Sequence, residues 1–276
     1  MNNKTYKEFE LIGSSFECDK NCPYCTAKIT RWSLGDNKFE KLEEKLQTLK
    51  DAEIRFRYFI FSGNGEPSLN SFEDLETVYK AVKKVDIFEE RRFQTSGNIF
   101  FEENNKKFNL FNDDYVFEIT RVSLDSKEDM KILGYKRDYL NTKNFYNANL
   151  RLNYVLLRSK KMDMLLDDIE KYCKIFSNIT SISLKTLNMN TLNNNYDNPY
   201  SEWIKQNGYT KDDSDEIINY MNSILPCVKK DEEFFDRYEW KYKNINITFY
   251  SKKLNYGLSH MVFYCGEVTD YKLNKF

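Results

Sequence analysis

The 276-residue chain has no apolar run that approaches the ~20 residues needed to span a bilayer. It also has no excess of either charge, because 42 basic and 43 acidic residues leave a formal net charge of −1. A chain that binds nucleic acid or an anionic membrane surface normally carries a surplus of Lys and Arg. We therefore expect neither a nucleic acid nor a membrane as its partner.

The beginning of the sequence lacks the pattern of a secretory signal. Residues 1–5 are polar and no apolar segment follows them, so we expect a cytoplasmic protein. Disorder is disfavoured as well, because aromatic residues make up 16% of the chain and supply the buried surface that disordered chains lack.

Cysteine is the residue type whose distribution is most informative. Three of the six cysteines, Cys18, Cys22 and Cys25, fall within eight residues. A disulfide framework would spread its cysteines and would need an oxidising compartment, whereas clustered cysteines in the cytosol more often hold a metal. The remaining three are isolated along the chain, at Cys173, Cys227 and Cys265.

The CxxxCxxC loop has three possible interpretations: a zinc site, an iron–sulfur site, and buried cysteines without a ligand. A structural zinc ion takes four ligands, but Cys173 lies 148 positions after Cys25 and His260 is the only histidine, so a closed zinc site is disfavoured. Three thiolates on a [4Fe–4S] cluster would leave one iron open to an outside ligand, which makes that iron a reaction site. Buried cysteines without a ligand fit poorly with the interleaved Asp19 and Lys20.

Strands and helices are predicted to alternate over the first two thirds of the chain. The predicted strands are Tyr6–Ile12, Phe56–Phe61, Phe93–Thr95, Phe117–Leu124, Leu150–Leu157 and Thr180–Leu187. The predicted helices between them are Lys38–Leu49, Ser71–Val85, Lys127–Leu133 and Asp163–Phe176. This rhythm favours parallel βα units, in a doubly wound sheet or an incomplete barrel, with functional residues just past the carboxyl ends of the strands.

The composition of the sequence changes after Leu187. Residues 188–200 are rich in Asn and irregular, and they precede predicted helices at Ser214–Leu225 and Asp231–Tyr238 and strands at Ile245–Tyr250 and Met261–Cys265. No Gly/Pro/Ser-rich linker separates the two parts. We therefore divide the chain into 1–187 and a C-terminal α+β extension, 188–276, that packs on the first part and covers its mouth.

The cysteine loop resembles the signature of the radical S-adenosylmethionine superfamily, and Tyr24 occupies the aromatic position before its third cysteine. The resemblance extends to Gly63-Asn64-Gly65-Glu66-Pro67, which is similar to the Gly-Gly-Glu-Pro element of that family with Asn64 inserted. It implies a partial (β/α)6, TIM-like barrel, a [4Fe–4S] cluster on Cys18, Cys22 and Cys25, and S-adenosylmethionine bound at the open iron. Reductive cleavage of that cofactor would require an electron donor such as flavodoxin or ferredoxin.

Weaker resemblances complete the expected cofactor pocket. Thr95-Ser96-Gly97 is similar to the Thr-Asn-Gly segment that ends the third strand, although Ser96 replaces the Asn, and Ser123-Leu124-Asp125 resembles the Ser-Leu-Asp segment that ends the fourth. The resemblance implies that Ser123 binds the methionine carboxylate. Strand alternation places Arg121 on the face of Ser123, so we expect both to point into the barrel. Arg151 and Asn153 are candidates for the cofactor ribose or carboxylate.

The expected substrate is a small molecule, since the chain has no second cysteine cluster and no basic surface. Among compact members of the superfamily the chain is most similar to the queuine lyases, which release 7-aminomethyl-7-deazaguanine. A carboxylate would accept the donor edge of such a deazapurine base. The candidate substrate residues are Lys185, Asn188, Asp197, Tyr200 and Glu202, and no catalytic residue is assigned.

Other functions stay open from the sequence. A glycyl-radical-enzyme activase shares the CxxxCxxC loop, a peptide-modifying enzyme is a further alternative, and an iron–sulfur redox or iron sensor is the alternative without catalysis. Cys227 or Cys265 could donate a hydrogen atom to a radical, as lone cysteines do in some radical enzymes, whereas Cys173 is expected to pack within a helix.

Overall fold

The computed structural model describes most of the chain. The described residues are 5–13, 18, 20–25, 39–63, 65–101, 104–123, 125–134, 142–187, 199–231, 237–251, 260–264 and 266–270. Within these ranges, no helix has both the length and the apolar character to cross a bilayer.

The described strands belong to one sheet. They are β1 (Thr5–Gly13), β2 (Arg55–Gly63), β3 (Phe88–Thr95), β4 (Val116–Arg121), β5 (Leu150–Val155), β6 (Ile179–Lys185), β7 (Cys227–Asp231), β8 (Arg237–Tyr242), β9 (Ile245–Tyr250), β10 (His260–Tyr264) and β11 (Glu267–Asp270). The described α-helices are α1 (Leu42–Asp51), α2 (Phe72–Val85), α3 (Lys106–Phe111), α4 (Ser126–Leu133), α5 (Lys143–Asn147), α6 (Leu165–Ile175), α7 (Pro199–Asn207) and α8 (Ser214–Ile224).

The first six strands are parallel and stand side by side in chain order. In a doubly wound sheet the strand order reverses at a switch point, so that helices cover both faces. No reversal occurs between β1 and β6, and successive right-handed crossovers therefore carry the helices to one face. The prediction of a mixed α/β fold with the winding of a partial (β/α)6 barrel is confirmed.

The strands of the C-terminal extension lengthen the sheet at both edges. Strand β9 pairs in parallel with β6, and β8 and β7 follow it in antiparallel order. Strand β10 pairs in parallel with β1, and β11 closes that edge as an antiparallel neighbour. The extension thus shares the hydrogen-bonded sheet of the first part, and the boundary at residue 187 stays a prediction.

One face of the sheet is apolar. Alternate residues of the central strands, such as Phe61, Phe93 and Phe117, are completely buried. The ring of Phe93 lies 4.8 Å from that of Phe111 on α3, and the ring of Tyr154 lies 5.2 Å from that of Tyr172 on α6. This face therefore packs against the helices and forms the main core.

The opposite face of the same strands is polar and is buried as well. It carries Arg92, Glu118, Arg151, Asn153 and Ser183, each less than one tenth exposed. Strand β3 begins at Phe88, five residues before the predicted Phe93. The charged run Glu89-Glu90-Arg91-Arg92 gave no hydrophobic signal for the first half of this strand.

One predicted helix is wrong. Residues Asp231–Tyr238 were expected to be helical, but Asp231 ends β7 and Arg237 begins β8, with 232–236 outside the described residues. Conversely, a helix that the sequence did not predict begins at Pro199, at the end of the Asn-rich segment. Proline suits the first position of a helix because its missing N–H has no helical partner there.

Candidate functional site

The cysteine loop follows the carboxyl end of β1 and reaches across to the end of β3. Lys20, which is buried, donates a hydrogen bond from Nζ to the backbone oxygen of Ser96. Burying a lysine is costly unless its ammonium group is paired. The bond therefore fixes the loop against the segment Thr95–Gly97.

A second attachment joins the loop to the end of α4. The backbone N–H of Asn21 donates to the oxygen of Leu133 at 2.9 Å, and the Cys22 thiol faces the same oxygen at 3.8 Å. Gly134 has a φ of +71° there, and a Cβ at that position would lie 2.9 Å from the Cβ of Asn21. Only glycine combines this left-handed conformation with so close an approach.

Cys22 and Cys25 belong to one turn of the loop, and Cys18 precedes that turn. Cys18 is exposed, Cys22 and Cys25 are half-buried, and the N–H of Cys25 donates to the oxygen of Cys22 at 3.2 Å. Among the described residues, no three Cys, His, Asp or Glu side chains stand in an arrangement that could hold a metal ion. The donor set thus fits an iron–sulfur cluster in number and chemical kind, while its thiols are not gathered around a common centre.

The other cysteines lie on separate elements. Cys173 is half-buried on α6, where burial raises the pKa of its thiol, and Cys227 is exposed on β7. A thiol with a raised pKa is a poor ligand and a poor nucleophile. Cys265 falls outside the described residues.

The turn after β2 is held by the carboxylate of Glu66, which is almost completely buried. Its Oε1 accepts from the hydroxyl of Thr95 at 2.7 Å and from that of Ser68 at 2.6 Å, and its Oε2 accepts from the N–H of Ser96. Glu66 therefore ties the end of β2 to the end of β3. Gly63 and Gly65 flank this turn, and Asn64 lies outside the described residues.

Ser123 is buried at the end of β4 within a charged network. Its hydroxyl donates to Glu128 and accepts from Nζ of Lys160 at 3.0 Å and from the N–H of Asp125 at 3.1 Å. Glu128 and Lys160 are themselves paired at 3.8 Å. The Ser123 hydroxyl, which the resemblance assigns to the cofactor carboxylate, therefore contacts both the carboxylate of Glu128 and the ammonium group of Lys160.

The prediction that Arg121 points into the barrel is wrong. Arg121 is completely buried on the helix-covered face, where it pairs with Asp129 of α4 at 2.9 Å. The other oxygen of Asp129 accepts from the N–H groups of Val122 and Ser123, at 2.8 and 3.2 Å. The strand ends at Arg121, so alternation no longer predicts where Ser123 points.

The polar face of the sheet is organised around Glu118. Its Oε1 lies 3.2 Å from Arg92 and 3.3 Å from Arg151, and its Oε2 accepts from Gln94 at 3.0 Å and from Asn153 at 3.4 Å. Burial alone would raise the pKa of Glu118, but the two guanidinium groups outweigh it and lower the pKa to about 2. The carboxylate is therefore ionised throughout the neutral range.

The guanidinium group of Arg151 is engaged by neighbouring side chains. Besides Glu118, it contacts Thr248 of β9, to which Nη2 donates at 3.1 Å. Lys185 is half-buried at the end of β6 on the same face, and its charge contributes to lowering the pKa of Glu118. Both residues lie on the polar face of the sheet, where Arg151 pairs with neighbouring side chains, and their roles in cofactor or substrate binding stay predictions.

The start of the C-terminal extension lies across the ends of β5 and β6. The N–H of Leu187 donates to the oxygen of Tyr209 at 2.7 Å, and the N–H of Tyr209 donates to that of Leu156 at 3.2 Å. The ring of Trp203 on α7 lies 5.8 Å from the ring of Tyr24 in the cysteine loop. The extension and the cysteine loop therefore meet above the carboxyl ends of the strands.

The expected substrate residues are only partly described. Tyr200 is half-buried on α7, whereas Glu202 is exposed on that helix and accepts a hydrogen bond from Gln206 at 2.7 Å. Asn188 and Asp197 lie outside the described residues. A role for these residues in substrate binding stays a prediction.

Sequence reasoning missed several residues that shape the site. These are Lys20, Glu118, Asp129, Lys160 and Trp203. A signal existed for Glu118 in the alternation of apolar and polar residues along β4, Phe117-Glu118-Ile119-Thr120. No comparable signal exists for Lys160 or Trp203, since only the folded chain brings them to residues that are distant in sequence.

Comparisons with known proteins add a likeness in fold. No family model and no curated protein matches the chain. Among solved structures, native anSMEcpe with bound AdoMet is 17% identical with a TM-score of 0.45 and is matched over 64% of this chain and 50% of its own. A hexahistidine-tagged form of anSMEcpe with bound AdoMet is 18% identical with a TM-score of 0.48, over 64% of this chain and 50% of its own.

HydG, a maturase of the [FeFe]-hydrogenase, is 11% identical with a TM-score of 0.47, over 67% of this chain and 43% of its own. The chain therefore spans about half the length of the structures that it matches. These likenesses concern the fold alone. The class of protein is a parallel α/β fold with sequential strand order and a three-cysteine loop at the carboxyl ends of its strands.

Proposed function

We propose that the chain is a radical S-adenosylmethionine enzyme that acts on a small molecule. The observation that carries the proposal is the position of the CxxxCxxC loop. It lies at the carboxyl end of β1, and Lys20 attaches it to the segment that Glu66 ties to β2. Three motifs that are far apart in sequence thereby meet at one end of the sheet, where parallel α/β proteins place their active sites.

In this proposal Cys18, Cys22 and Cys25 hold a [4Fe–4S] cluster. With S-adenosylmethionine bound, the cluster would supply the one-electron reductive chemistry that begins hydrogen abstraction from the substrate. A carrier such as flavodoxin or ferredoxin would supply the electron.

The chain's own residues bind and orient the cofactor. Glu66 fixes the glycine turn so that Gly63 and Gly65 allow the ammonium group of the methionine to approach the backbone. Ser123 and Lys160 are suited to a carboxylate, because a hydroxyl and an ammonium group 3.0 Å apart can donate to the same anion. Glu128 now contacts both, and its half-exposed side chain would turn outward to admit the ligand.

The contact between Tyr24 and Trp203 supports a site that excludes water. A radical intermediate has to be kept from solvent and close to the carbon with which it reacts. Two half-buried aromatic rings from the cysteine loop and the extension close the side of the site above β5 and β6.

The finer proposal is that the substrate is queuine and the product 7-aminomethyl-7-deazaguanine. The extension across the strand ends favours a small, enclosed substrate over a tRNA or a large protein. A peptide-modifying enzyme or an activase would instead need an open site for its partner.

The proposed function is tested with protein reconstituted anaerobically with iron and sulfide. With S-adenosylmethionine and a strong reductant, the wild-type chain should form 5′-deoxyadenosine and methionine, Cys22→Ala should form neither, and the matched control Cys173→Ala should equal the wild type. Added queuine should be converted to 7-aminomethyl-7-deazaguanine. A cluster that never cleaves S-adenosylmethionine would contradict the proposal and favour a sensor, and cleavage with queuine unchanged would contradict the finer proposal alone.

A further inference from the structure

Two buried oxygen atoms stand side by side on the polar face of the sheet. Oδ1 of Asn153 and Oγ of Ser183 have no hydrogen-bond partner among the described residues. Asn153 is 7% exposed and Ser183 is completely buried. A buried polar atom without a partner is costly, so such atoms usually meet a ligand or an ordered water molecule.

The two residues are neighbours in the sheet. Asn153 of β5 and Ser183 of β6 are register partners in a parallel pair, so their side chains project from the same face of adjacent strands. Each precedes the last residue of its strand by two positions, and the next inward-facing pair is Val155 and Lys185. The pair therefore lies one layer below the strand ends, and below the turns proposed for the cofactor.

Glu118 determines which atom of Asn153 is presented. Nδ2 of Asn153 donates to Oε2 of Glu118 at 3.4 Å, so Oδ1 is directed away from that carboxylate. An amide oxygen can only accept, whereas a serine hydroxyl can donate as well as accept. A ligand that satisfies the hydrogen-bonding capacity of both atoms must bring an N–H or O–H donor to Oδ1 of Asn153 and a group that can pair with the hydroxyl of Ser183.

The groups around this layer argue for an uncharged ligand group. Glu118 is shared by Arg92 and Arg151, at 3.2 and 3.3 Å, and Arg151 also donates to Thr248 at 3.1 Å. A buried cation beside these guanidinium groups would lose its hydration without gaining a counter-ion, and an anion would face the amide oxygen of Asn153, which cannot donate to it. A neutral group with adjacent N–H and C=O atoms meets the requirement without that cost.

We propose that Asn153 and Ser183 form the substrate-recognition site for the lactam edge of a cyclic amide, the edge that a deazaguanine base carries. The lactam N–H donates to Oδ1 of Asn153, and the hydroxyl of Ser183 donates to the adjacent carbonyl oxygen. This inference rests on the proposed function for the location of the substrate. It assigns Asn153 to the substrate, where the sequence had placed it with the cofactor.

The test uses the anaerobically reconstituted full chain, equilibrium binding by calorimetry, and two probes: 7-deazaguanine and 1-methyl-7-deazaguanine, in which a methyl group replaces the lactam hydrogen. Wild-type protein should bind 7-deazaguanine about 10- to 100-fold more tightly than the methylated base. In Asn153→Ala this preference should fall to about threefold or less, and in Ser183→Ala the affinity for 7-deazaguanine should drop about tenfold. Ser181→Ala, on the same face of β6 one layer deeper, is the matched control and should keep both values.

Two further readouts separate recognition from a structural role. Ser183→Ala removes a hydroxyl without a partner, so its melting temperature in the absence of base should equal or exceed that of the wild type. Affinity for S-adenosylmethionine should be unchanged in both variants. The inference is overturned if the wild type does not bind 7-deazaguanine, if the preference survives in Asn153→Ala, if Ser183→Ala melts several degrees lower, or if either variant binds S-adenosylmethionine more weakly.

Failure of this inference can be distinguished from failure of the proposed function. Formation of 5′-deoxyadenosine by the same protein samples reports the radical chemistry and does not depend on either base. Cleavage of the cofactor with no binding of 7-deazaguanine refutes the lactam site alone. The expected binding pattern without cleavage supports the lactam site and contradicts the proposed function.

Discussion

The two faces of the central sheet are equally buried but are stabilised by different interactions. On the helix-covered face Phe61, Phe93 and Phe117 pack against other rings, and each ring has several neighbours at 4.8–6.2 Å. On the opposite face Glu118 compensates both Arg92 and Arg151 in the interior. Apolar packing is non-directional, so neighbours can partly compensate for a lost side chain.

In the ion network around Glu118, neighbouring side chains cannot compensate in this way for a lost partner. Loss of one partner leaves a buried charge whose hydration cannot be recovered. The helix-covered face therefore supplies stability, and the polar face holds side chains in the fixed positions that binding requires. Four variants test this difference.

The largest effect on stability is expected for Phe117→Ala. Phe117 is completely buried, and its ring lies 5.5 Å from that of Phe108 and 5.6 Å from that of Phe100. Removal of the ring should lower the free energy of unfolding by about 3–5 kcal/mol. Urea denaturation measures the change, and Tyr146→Ala, at a residue that is 47% exposed, is the control with an expected change within about 0.5 kcal/mol. Equal losses in the two variants would contradict the location of the core.

Glu118→Gln should cost about 3 kcal/mol at pH 7, because it leaves Arg92 and Arg151 without the carboxylate that they share. The pKa of Glu118 is lowered to about 2 in the folded chain, so its contribution is complete above about pH 5 and is lost as the pH falls through about 2. The difference between wild type and variant should therefore shrink between pH 5 and pH 2. Urea denaturation over this range is the measurement, with exposed Glu73→Gln as the control. A difference that is independent of pH would contradict the ion network.

Gly134→Ala tests the attachment of the cysteine loop to α4. The left-handed φ of +71° and the 2.9 Å approach to Asn21 should together cost about 1–3 kcal/mol. The displaced loop should also bind less iron on reconstitution, whereas Lys131→Ala on the exposed side of the same helix should bind as much as the wild type. Full iron content in Gly134→Ala would show that the loop does not depend on this contact.

The smallest effect on stability is expected for Glu66→Gln. An amide group in place of Oε2 would face the N–H of Ser96 and lose one buried hydrogen bond, which costs about 1–2 kcal/mol. Affinity for S-adenosylmethionine should fall at the same time, because the glycine turn is no longer tied to β3. Calorimetry and urea denaturation check both effects. Glu76→Gln, which breaks only an exposed pair with Lys80, should change neither, and a Glu66→Gln variant with wild-type affinity would remove the turn from the cofactor site.

The positions of β1 to β6 along the chain could be predicted from the sequence because each strand has apolar residues on at least one face and ends at a turn, whereas this pattern alone left open a doubly wound sheet or a barrel. Ser71, the N-cap of α2, was also predictable from the local sequence because serine is favoured at this position. Its Oγ accepts from the N–H of Asp74 at 3.0 Å. The first half of β3 was not predictable from hydrophobicity, because its inward residue Arg92 is charged and pairs with Glu118 of β4. Likewise, the direction of Arg121 depends on Asp129, which belongs to the following helix.

Within the candidate site, sequence motifs predicted which segments meet but not what holds them. Glu66 was predicted as part of the cofactor turn, and in the structure its oxygens are engaged by Thr95, Ser68 and Ser96. Lys160 and Trp203 reach the site from distant segments, and their contacts depend on the packing of the whole chain. The unpartnered oxygens of Asn153 and Ser183 likewise follow from the register of β5 and β6.

The central claim is that Cys18, Cys22 and Cys25 alone hold one [4Fe–4S] cluster with an open iron. The most direct test is the iron content and electron paramagnetic resonance spectrum of a variant in which Cys173, Cys227 and Cys265 are all alanine. After anaerobic reconstitution this variant should contain about four irons per chain, and S-adenosylmethionine should shift the spectrum of its reduced cluster. Loss of the cluster in this variant, or a spectrum that S-adenosylmethionine leaves unchanged, would contradict the account.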